Sequence, residues 1–310
     1  MKTFRSITAF FLLASAFTAC KKDSRDEPEP AKPAVEDLEI GLGNNEIGII
    51  GKDFHFNANV SAADKIETVQ VKIVQRSGET YSRTWNHEVL WEQYKGAKNT
   101  TIHKHFDIPA DAVEGKYDFL IIVNDQNGTR LEIKKNFAIY AEANVPVNPT
   151  LSLFNVFVNE ARFYRNGNFT SQGSRLKKGD LFNSQATIAG AKGSGKMYLL
   201  LISKKANHRP ESIDKIDFSK VIVYDVYEHR DWTSTDFFSN SVFDLSTNTS
   251  IRSWPNLNIG AANDNNLPQP NPINGSKAWE SGLYYFGVLY KNSTYNMGYY
   301  HYIEIPVEIN

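Results

Sequence analysis

Alternation of apolar and polar residues dominates the first half of this chain. Apolar residues occupy every second position in three short segments, 54–60, 69–73 and 117–123, and all but position 104 of the same alternation in 102–108. This period of two predicts half-buried β-strands, since successive side chains of a strand point to opposite faces of a sheet. Turn residues such as those at 124–128 separate the runs, as in antiparallel sheets. The pattern predicts a β-sandwich over residues 37–141, and strand spacing favours immunoglobulin-like topology.

A second group of strand-like segments follows the linker at 142–150, which contains Pro146 and Pro149. Proline fixes φ and biases the residue before it towards extended backbone, so a break between domains is expected there. The later segments lie at 151–158, 197–203, 221–227, 283–290 and 299–309. We predict a second β-sandwich over residues 151–310. No segment shows a convincing amphipathic helix, so the fold class is all-β with two sandwich domains.

The amino terminus has a different character. Lys2 and Arg5 precede a mostly apolar run at 7–17, which ends in Thr18-Ala19-Cys20. A helix needs about 20 apolar residues to span a bilayer, and this run is shorter and typical of a secretory signal. The segment resembles a bacterial lipoprotein signal with 18–20 as the lipobox. The resemblance implies a signal peptide at 1–19, cleavage before Cys20, and lipid attached to its thiol and new amino group.

Residues 20–36 are rich in charge and proline and lack an apolar face. Such a composition predicts a flexible tether. Acidic residues soon after the cysteine resemble the surface-export signals of Bacteroidota-type lipoproteins. The resemblance implies an outer-membrane protein, lipid-anchored and facing the cell surface, whose partners are the membrane and either an outer-membrane protein or a glycan.

Charge and cysteine content narrow the classes of function. The formal net charge is −1 and no long basic run exists, which argues against a nucleic-acid partner. Cys20 is the only cysteine, so its lipidation leaves no thiol for a disulfide or a thiolate metal site. Stability must then come from the apolar core.

Several motifs of the first domain point to a known family. They are Phe54-His55-Phe56, the segments 103–111 and 114–119, and the turn at 124–128. Together they resemble the domain of unknown function 4625, a histidine-rich, immunoglobulin-like module of Bacteroidota lipoproteins. The resemblance covers residues 37–141 and implies the fold but no established activity. Residues 151–310 resemble no family that we recognise.

Three histidines are the candidate metal ligands. His55, His103 and His105 fall on the polar faces of their predicted strands. Histidines at i and i+2 point the same way, and the second and fifth strands of an immunoglobulin-like sandwich are neighbours. The three rings could therefore bind a divalent metal ion or haem, with His87 and Asp107 completing the site. The alternative is a set of solvated histidines on an outer face. No other cofactor is predicted.

Aromatic residues of the second domain form a separate candidate. Trp279, Tyr300 and Tyr302 could stack on a sugar ring or fill a partner's pocket. The alternative is that they pack the sandwich and cover its edge. A glycosidase pair drawn from Asp231, Asp236 and Glu280 is disfavoured, because nothing in the sequence brings these residues together.

Four loop-like segments carry weaker signals. The asparagine-rich turns at 124–128 and 263–266 offer oxygen ligands but lack the spacing of a calcium loop. Residues 190–196 resemble a phosphate loop, but Met197 stands where that motif needs serine or threonine, so a hairpin turn is predicted. Residues 256–276 are expected to form a long surface loop.

The leading hypothesis is a non-enzymatic envelope or surface lipoprotein that binds a ligand or partner and could assist outer-membrane uptake. The absence of a catalytic motif motivates it. Metal or haem capture by His55, His103 and His105 is the main alternative, followed by a structural or adhesion role.

Overall fold

The computed structural model describes residues 30–170 and 173–309. Cys20, the predicted signal peptide and most of the tether lie outside these ranges. The described residues form β-strands joined by loops and five short 3₁₀ turns, with no α-helix among them. None of their helical segments is long and apolar enough to cross a membrane. The predicted all-β fold with sandwich domains is confirmed.

The first half contains eight strands. They are β1 (Ala34–Ile40), β2 (Ile47–Ile49), β3 (Asp53–Ser61), β4 (Ile66–Gln75), β5 (Asn86–Trp91), β6 (Asn99–Asp107), β7 (Gly115–Asp125) and β8 (Arg130–Tyr140). One sheet has the order β1-β3-β6 and the other the order β2-β8-β7-β4-β5. The alternating apolar residues meet between the sheets, where Phe54, Phe56, Val71 and Phe119 are buried.

The second half contains eleven strands. They are β9 (Thr150–Val158), β10 (Ala161–Arg165), β11 (Asn168–Phe169), β12 (Leu176–Lys177), β13 (Leu181–Ser203), β14 (Ile222–Ser239), β15 (Val242–Asp244), β16 (Thr249–Arg252), β17 (Leu257–Asn258), β18 (Gly282–Asn292) and β19 (Met297–Glu308). Nine of them form one sheet, and β15 pairs only with β16. The 3₁₀ turns lie at Glu92–Tyr94, Glu142–Asn144, Lys204–Ala206, Ile213–Lys215 and Gly275–Lys277.

Strand β13 bends and contributes to two facing layers. Its first part pairs with β9 and its last part with β18, while β14 follows both parts. The rings of Phe182 and Phe286 lie 4.9 Å apart between the layers. Gly190 and Gly193, with φ of 75° and 67°, lie where the β13–β14 register shifts. The predicted hairpin turn at 190–196 is therefore wrong, because its glycines form bulges inside a continuous strand.

The segment between β13 and β14, residues 204–221, covers the outer face of this sheet. Ile213 and Ile216 pack against a small apolar cluster that includes Leu200 and Val223. The same segment reaches the polar face of β3 and β6 in the first sandwich, through contacts of Glu211. The middle of this segment, residues 208–215, thus lies between the two sandwiches.

Other contacts also join the two halves, which form one compact unit from Lys32 to Asn310. The Asn296 amide donates to the carbonyl oxygens of Gly43 and Asn44, at 3.3 and 3.2 Å. The connection at 142–150 is fixed as well, since the Asn144 amide donates to the Glu114 carboxylate at 2.9 Å. The histidine-bearing sheet is consequently held against the second sandwich.

The long loop at 256–276 is ordered rather than a free surface loop. Asp264 is buried and its Oδ2 lies 3.2 Å from Nζ of Lys277, which is buried too. The carboxylate also accepts from the backbone N–H of Asn271 at 2.7 Å. These bonds close the loop onto the sandwich.

Candidate metal centre

Strands β3 and β6 place three imidazoles on one face of a sheet. They pair antiparallel, with His55 opposite His105 and Asn57 opposite His103. The ring centroids of His55 lie 5.1 Å from those of both His103 and His105, which are 5.4 Å from each other. The predicted proximity of the three side chains is therefore observed.

The same face is not open to solvent along its whole length. His55 is only 6% exposed, although the alternation along the strand points its side chain away from the core of the first sandwich. Residues 208–215 of the second sandwich face it across a cleft, and Glu211 contacts it directly. The side chains of His103 and His105 remain 50% and 30% exposed. The alternative of solvated histidines on an outer face is accordingly wrong for His55.

Glu211 completes the cluster from the second sandwich. Its Oε2 lies 3.3 Å from Nδ1 of His55, 3.7 Å from Nε2 of His103 and 3.2 Å from Nε2 of His105. One ligand atom from each of the four side chains lies within 4.8 Å of the others. A tetrahedral zinc site with bonds of about 2.0–2.1 Å has ligand-to-ligand edges of roughly 3.3 Å. The three measured distances are close to that edge.

Two further carboxylates orient the rings from outside the cluster. Nδ1 of His105 lies 2.6 Å from Oδ2 of Asp53, while Nε2 of the same ring faces Glu211. Nε2 of His55 lies 3.6 Å from Oε2 of Glu39, whose Oε1 accepts from the backbone N–H of Gly43 at 2.7 Å. Metal-ligating histidines usually have such a carboxylate on the ring nitrogen remote from the ion.

The electrostatics of His55 are unusual for a buried imidazole. Burial alone would lower its pKa, but hydrogen bonding and charge from Glu211 and Glu39 outweigh burial and raise the pKa to about 9. Burial would raise the pKa of Glu211, but the three histidines lower that pKa to about 2. Neither His55 nitrogen has a well-formed hydrogen bond within the described structure. The two carboxylates therefore favour a positive charge at the His55 ring, which either a proton or a bound metal ion can supply.

His87 and Asp107 do not join the cluster, contrary to expectation. His87 lies on β5 in the other sheet and stacks on Trp85 at 6.1 Å. Asp107 is opposite Asp53 at the end of the β3–β6 pair. The fourth member, Glu211, had no sequence signal, because it lies in an irregular segment of a different domain.

A cleft of about 330 Å³ opens beside the histidines. From the first sandwich it is lined by Glu39, His55, Asn57 and His103. From the second it is lined by His208, Arg209, Pro210, Glu211, Ser212 and Lys215. The cluster is thus reachable by a small ligand from solvent.

The three aromatic candidates are not brought together. Tyr300 and Tyr302 lie on β19 near the cleft, with ring centroids 6.3 Å apart, and the Tyr302 hydroxyl donates to the carbonyl of Pro210 at 2.6 Å. Burial and the nearby Glu211 carboxylate raise the pKa of Tyr300. Trp279 instead packs against Tyr284 at 6.0 Å, in the core cluster on the other side of the sheet.

In the asparagine-rich turn at 124–128, the Asp125 carboxylate accepts hydrogen bonds from backbone N–H groups. Oδ2 of Asp125 accepts from the N–H groups of Ala63 and Asp64, at 2.7 and 3.0 Å, and Oδ1 accepts from Asn127 at 2.9 Å. These bonds engage both oxygens of the Asp125 carboxylate. This is in line with the interpretation of the segment as a hairpin turn.

The first sandwich has a recognisable family. Residues 18–140 match the model of DUF4625, a domain of unknown function. The predicted resemblance of the amino-terminal domain to this family is confirmed. The match includes His55, His103 and His105 but ends before Glu211. No curated protein matches the chain.

Similarities to solved structures are remote. Dimeric latent PorU from Porphyromonas gingivalis is 10% identical with a TM-score of 0.29, over 93% of this chain and 21% of PorU. A structure of promiscuous carbohydrate-binding modules from the β-sandwich superfamily is 11% identical with a TM-score of 0.24, over 68% and 85% of the two chains. Native E. coli alpha-2-macroglobulin is 10% identical with a TM-score of 0.25, over 90% and 16%. The chain thus spans about a fifth of PorU, and no function follows from these similarities.

Proposed function

We propose that this chain is a non-enzymatic metal-binding protein that holds one divalent transition-metal ion between His55, His103, His105 and Glu211. The observation that carries the proposal is the convergence of three imidazoles on Oε2 of Glu211 at 3.2–3.7 Å. Imidazole and carboxylate ligands suit zinc and its first-row neighbours.

The surroundings of the cluster support the same proposal. Asp53 lies behind His105 and Glu39 lies behind His55, which is how carboxylates orient the ligands of metal sites. An ion would also neutralise Glu211, which is 15% exposed. A buried carboxylate needs a positive partner, which either a protonated histidine or a bound metal ion supplies.

A single ion fits this geometry better than haem. Haem ligation needs a flat slot wide enough for a porphyrin between its axial ligands. Here the four ligand atoms lie within 4.8 Å of one another and converge on one point. The geometry therefore disfavours haem as the ligand.

For its location, we propose a lipid anchor on Cys20 in the outer membrane, supported by the amino-terminal pattern. Metal capture at the cell surface would be consistent with a role beside an uptake system. Incorporation of an alkyne-tagged palmitate in the bacterial host, lost with Cys20→Ser, tests the anchor. Persistent labelling of the Cys20→Ser protein would contradict it.

Isothermal titration of the full, metal-stripped chain with zinc chloride tests the proposed function. We expect one ion per chain in the wild type. The double variant His103→Ala/His105→Ala and the single variant Glu211→Gln should each weaken binding by at least tenfold. His87→Gln is the matched control, because His87 lies outside the cluster, and it should bind like the wild type.

The opposing outcome is equally specific. If the site holds a proton instead of a metal ion, none of zinc, nickel, cobalt and copper will bind in the same titration. Equal affinity in the wild type and the Glu211→Gln variant would show that the ion binds elsewhere.

A further inference from the structure

The cleft beside the cluster has its own unpaired cation. The Arg209 guanidinium lies 5.1 Å from the ring centroid of Tyr302 and 5.5 Å from that of Tyr285. Within the described structure, no carboxylate lies within ion-pair distance of it. Arginine is normally paired when it is held in place, and here stacking on two rings holds it without neutralising it.

A hydrogen-bond donor at the same cleft also lacks a partner. The Ser212 hydroxyl is buried, and no group of the described structure bonds to it. Buried hydroxyls are nearly always satisfied, so an orphaned one beside an opening indicates a missing ligand atom or water. Lys215 lines the same cleft and lies 3.9 Å from Glu39.

The charge balance of the cleft depends on the metal ion. The charged side chains that line it are two carboxylates, Glu39 and Glu211, and two cations, Arg209 and Lys215. The formal charges of these four side chains cancel. With a divalent ion held by neutral imidazoles, the cleft would carry a net positive charge, which attracts an anion.

We propose that the cleft binds a small oxyanion, a carboxylate or a phosphate, between the metal ion and Arg209. This inference rests on the proposed metal site. Arg209 matches the planar geometry of either oxyanion and can bind it with two parallel N–H bonds. A volume of about 330 Å³ is at the small end of ligand sites, which favours a small organic or inorganic anion over an oligosaccharide.

The test is a titration of the full chain with sodium acetate and, separately, inorganic phosphate at constant ionic strength. Each anion is added to zinc-loaded and to metal-stripped protein. We expect saturable binding of at least one anion to the loaded chain, weakened at least tenfold when zinc is removed. Binding of phosphate alone would identify a phosphate-type ligand, and binding of acetate would identify a carboxylate.

Variants assign the anion to the cleft. Arg209→Gln should weaken anion binding at least tenfold and leave zinc binding unchanged. Arg209→Lys keeps the charge but not the bidentate geometry. Its affinity for the anion should therefore lie between those of the wild type and Arg209→Gln. Arg230→Gln is the control, since Arg230 pairs with Glu228 outside the cleft.

The two proposals fail in different ways. If zinc binds but neither anion does, or if the Arg209→Gln variant binds anions like the wild type, the oxyanion site is wrong and the metal site stands. If zinc does not bind at all, the metal site is wrong and the oxyanion site fails with it.

Discussion

Nδ1 of His55 lies 3.3 Å from Oε2 of Glu211, although the two side chains belong to different sandwiches. Three ligands lie on the β3–β6 pair and the fourth on the segment that covers the second sandwich. The complete site exists only while the two sandwiches are docked. A ligand that binds only this arrangement must stabilise it, so metal binding and docking are coupled.

The first prediction concerns the metal-stripped protein. Glu211→Gln removes one of the two carboxylates that face the buried His55 ring. It also removes the charged partner 3.2 Å from Nε2 of His105. A hydrogen bond to a charged group contributes roughly 1.5–3 kcal/mol, so we expect the free energy of unfolding to fall by about 2 kcal/mol. Urea denaturation measures the change. Glu228→Gln, at an exposed ion pair, should change it by less than about 1 kcal/mol. A fully stable Glu211→Gln protein would show that the pair does not hold the sandwiches together.

The second prediction concerns the residue that orients His105. Asp53→Asn leaves all four proposed ligands in place but removes the carboxylate 2.6 Å from Nδ1 of His105. Loss of such a partner typically weakens metal affinity by about 10–100-fold. Competition with a zinc-binding dye measures the affinity. Asp107→Asn is a close control, because Asp107 lies directly opposite Asp53 in the strand pair. If both variants bind zinc with equal affinity, Asp53 does not contribute to the metal site.

The third prediction concerns the segment that carries Glu211. Hydrogen exchange, measured by mass spectrometry, should slow in residues 208–216 when zinc is added, because the ion would fix the segment to β3 and β6. Exchange in β5, which lies in the other sheet of the first sandwich, should not change. Slowing spread evenly over the chain would indicate general stabilisation instead of a bridge between the sandwiches.

The sequence predicts the part of the site that depends on local pattern. Alternation places His55, His103 and His105 on one face, since strand geometry fixes side-chain direction. It cannot predict that His55 is buried, because the covering residues, 208–215, belong to another domain. The sequence pattern does not predict Glu211 as a ligand for the same reason. It lies in an irregular segment whose position is set by the packing of Ile213 and Ile216.

Strand β13 shows a second limit of pattern reasoning. The glycines at 190–196 predict a hairpin turn because positive φ is common in turns. The same freedom of φ also allows bulges within a strand, and Gly190 and Gly193 use it that way. Which outcome occurs depends on whether β9 and β18 are available to pair with the two ends of the strand. Local sequence does not contain that information.

The fourth prediction concerns pH. Burial would raise the pKa of Asp118, but Lys134 and Arg76, at 2.5 and 2.8 Å, lower it below its usual range. A depressed folded-state pKa gives stability that is present above the unfolded pKa, about 3.9, and lost as pH falls through the folded value.

Asp118→Asn should therefore lower the melting temperature at pH 7 by a few degrees. The difference from the wild type should shrink as pH falls below about 4. Thermal unfolding followed by circular dichroism across this range measures the difference. A difference that stays constant with pH would mean that the carboxylate charge contributes nothing to stability.

The fifth prediction concerns the buried pair that closes the loop at 256–276. Asp264→Asn leaves the Lys277 ammonium buried without its counter-charge, and breaking one side of such a pair costs about 3–5 kcal/mol. A loss of that size corresponds to a melting temperature lower by roughly 10 °C. The matched control is Glu308→Gln, because Glu308 forms an exposed pair with Arg175 at the same 3.2 Å as the buried pair.

The double variant Asp264→Asn/Lys277→Met separates charge from shape. Methionine is similar in length to lysine and carries no charge, so the double variant should recover much of the lost stability. Recovery would show that the single variant is destabilised by an unpaired buried charge. Failure to recover would show that the backbone hydrogen bonds accepted by Asp264, such as that from Asn271, hold the loop instead.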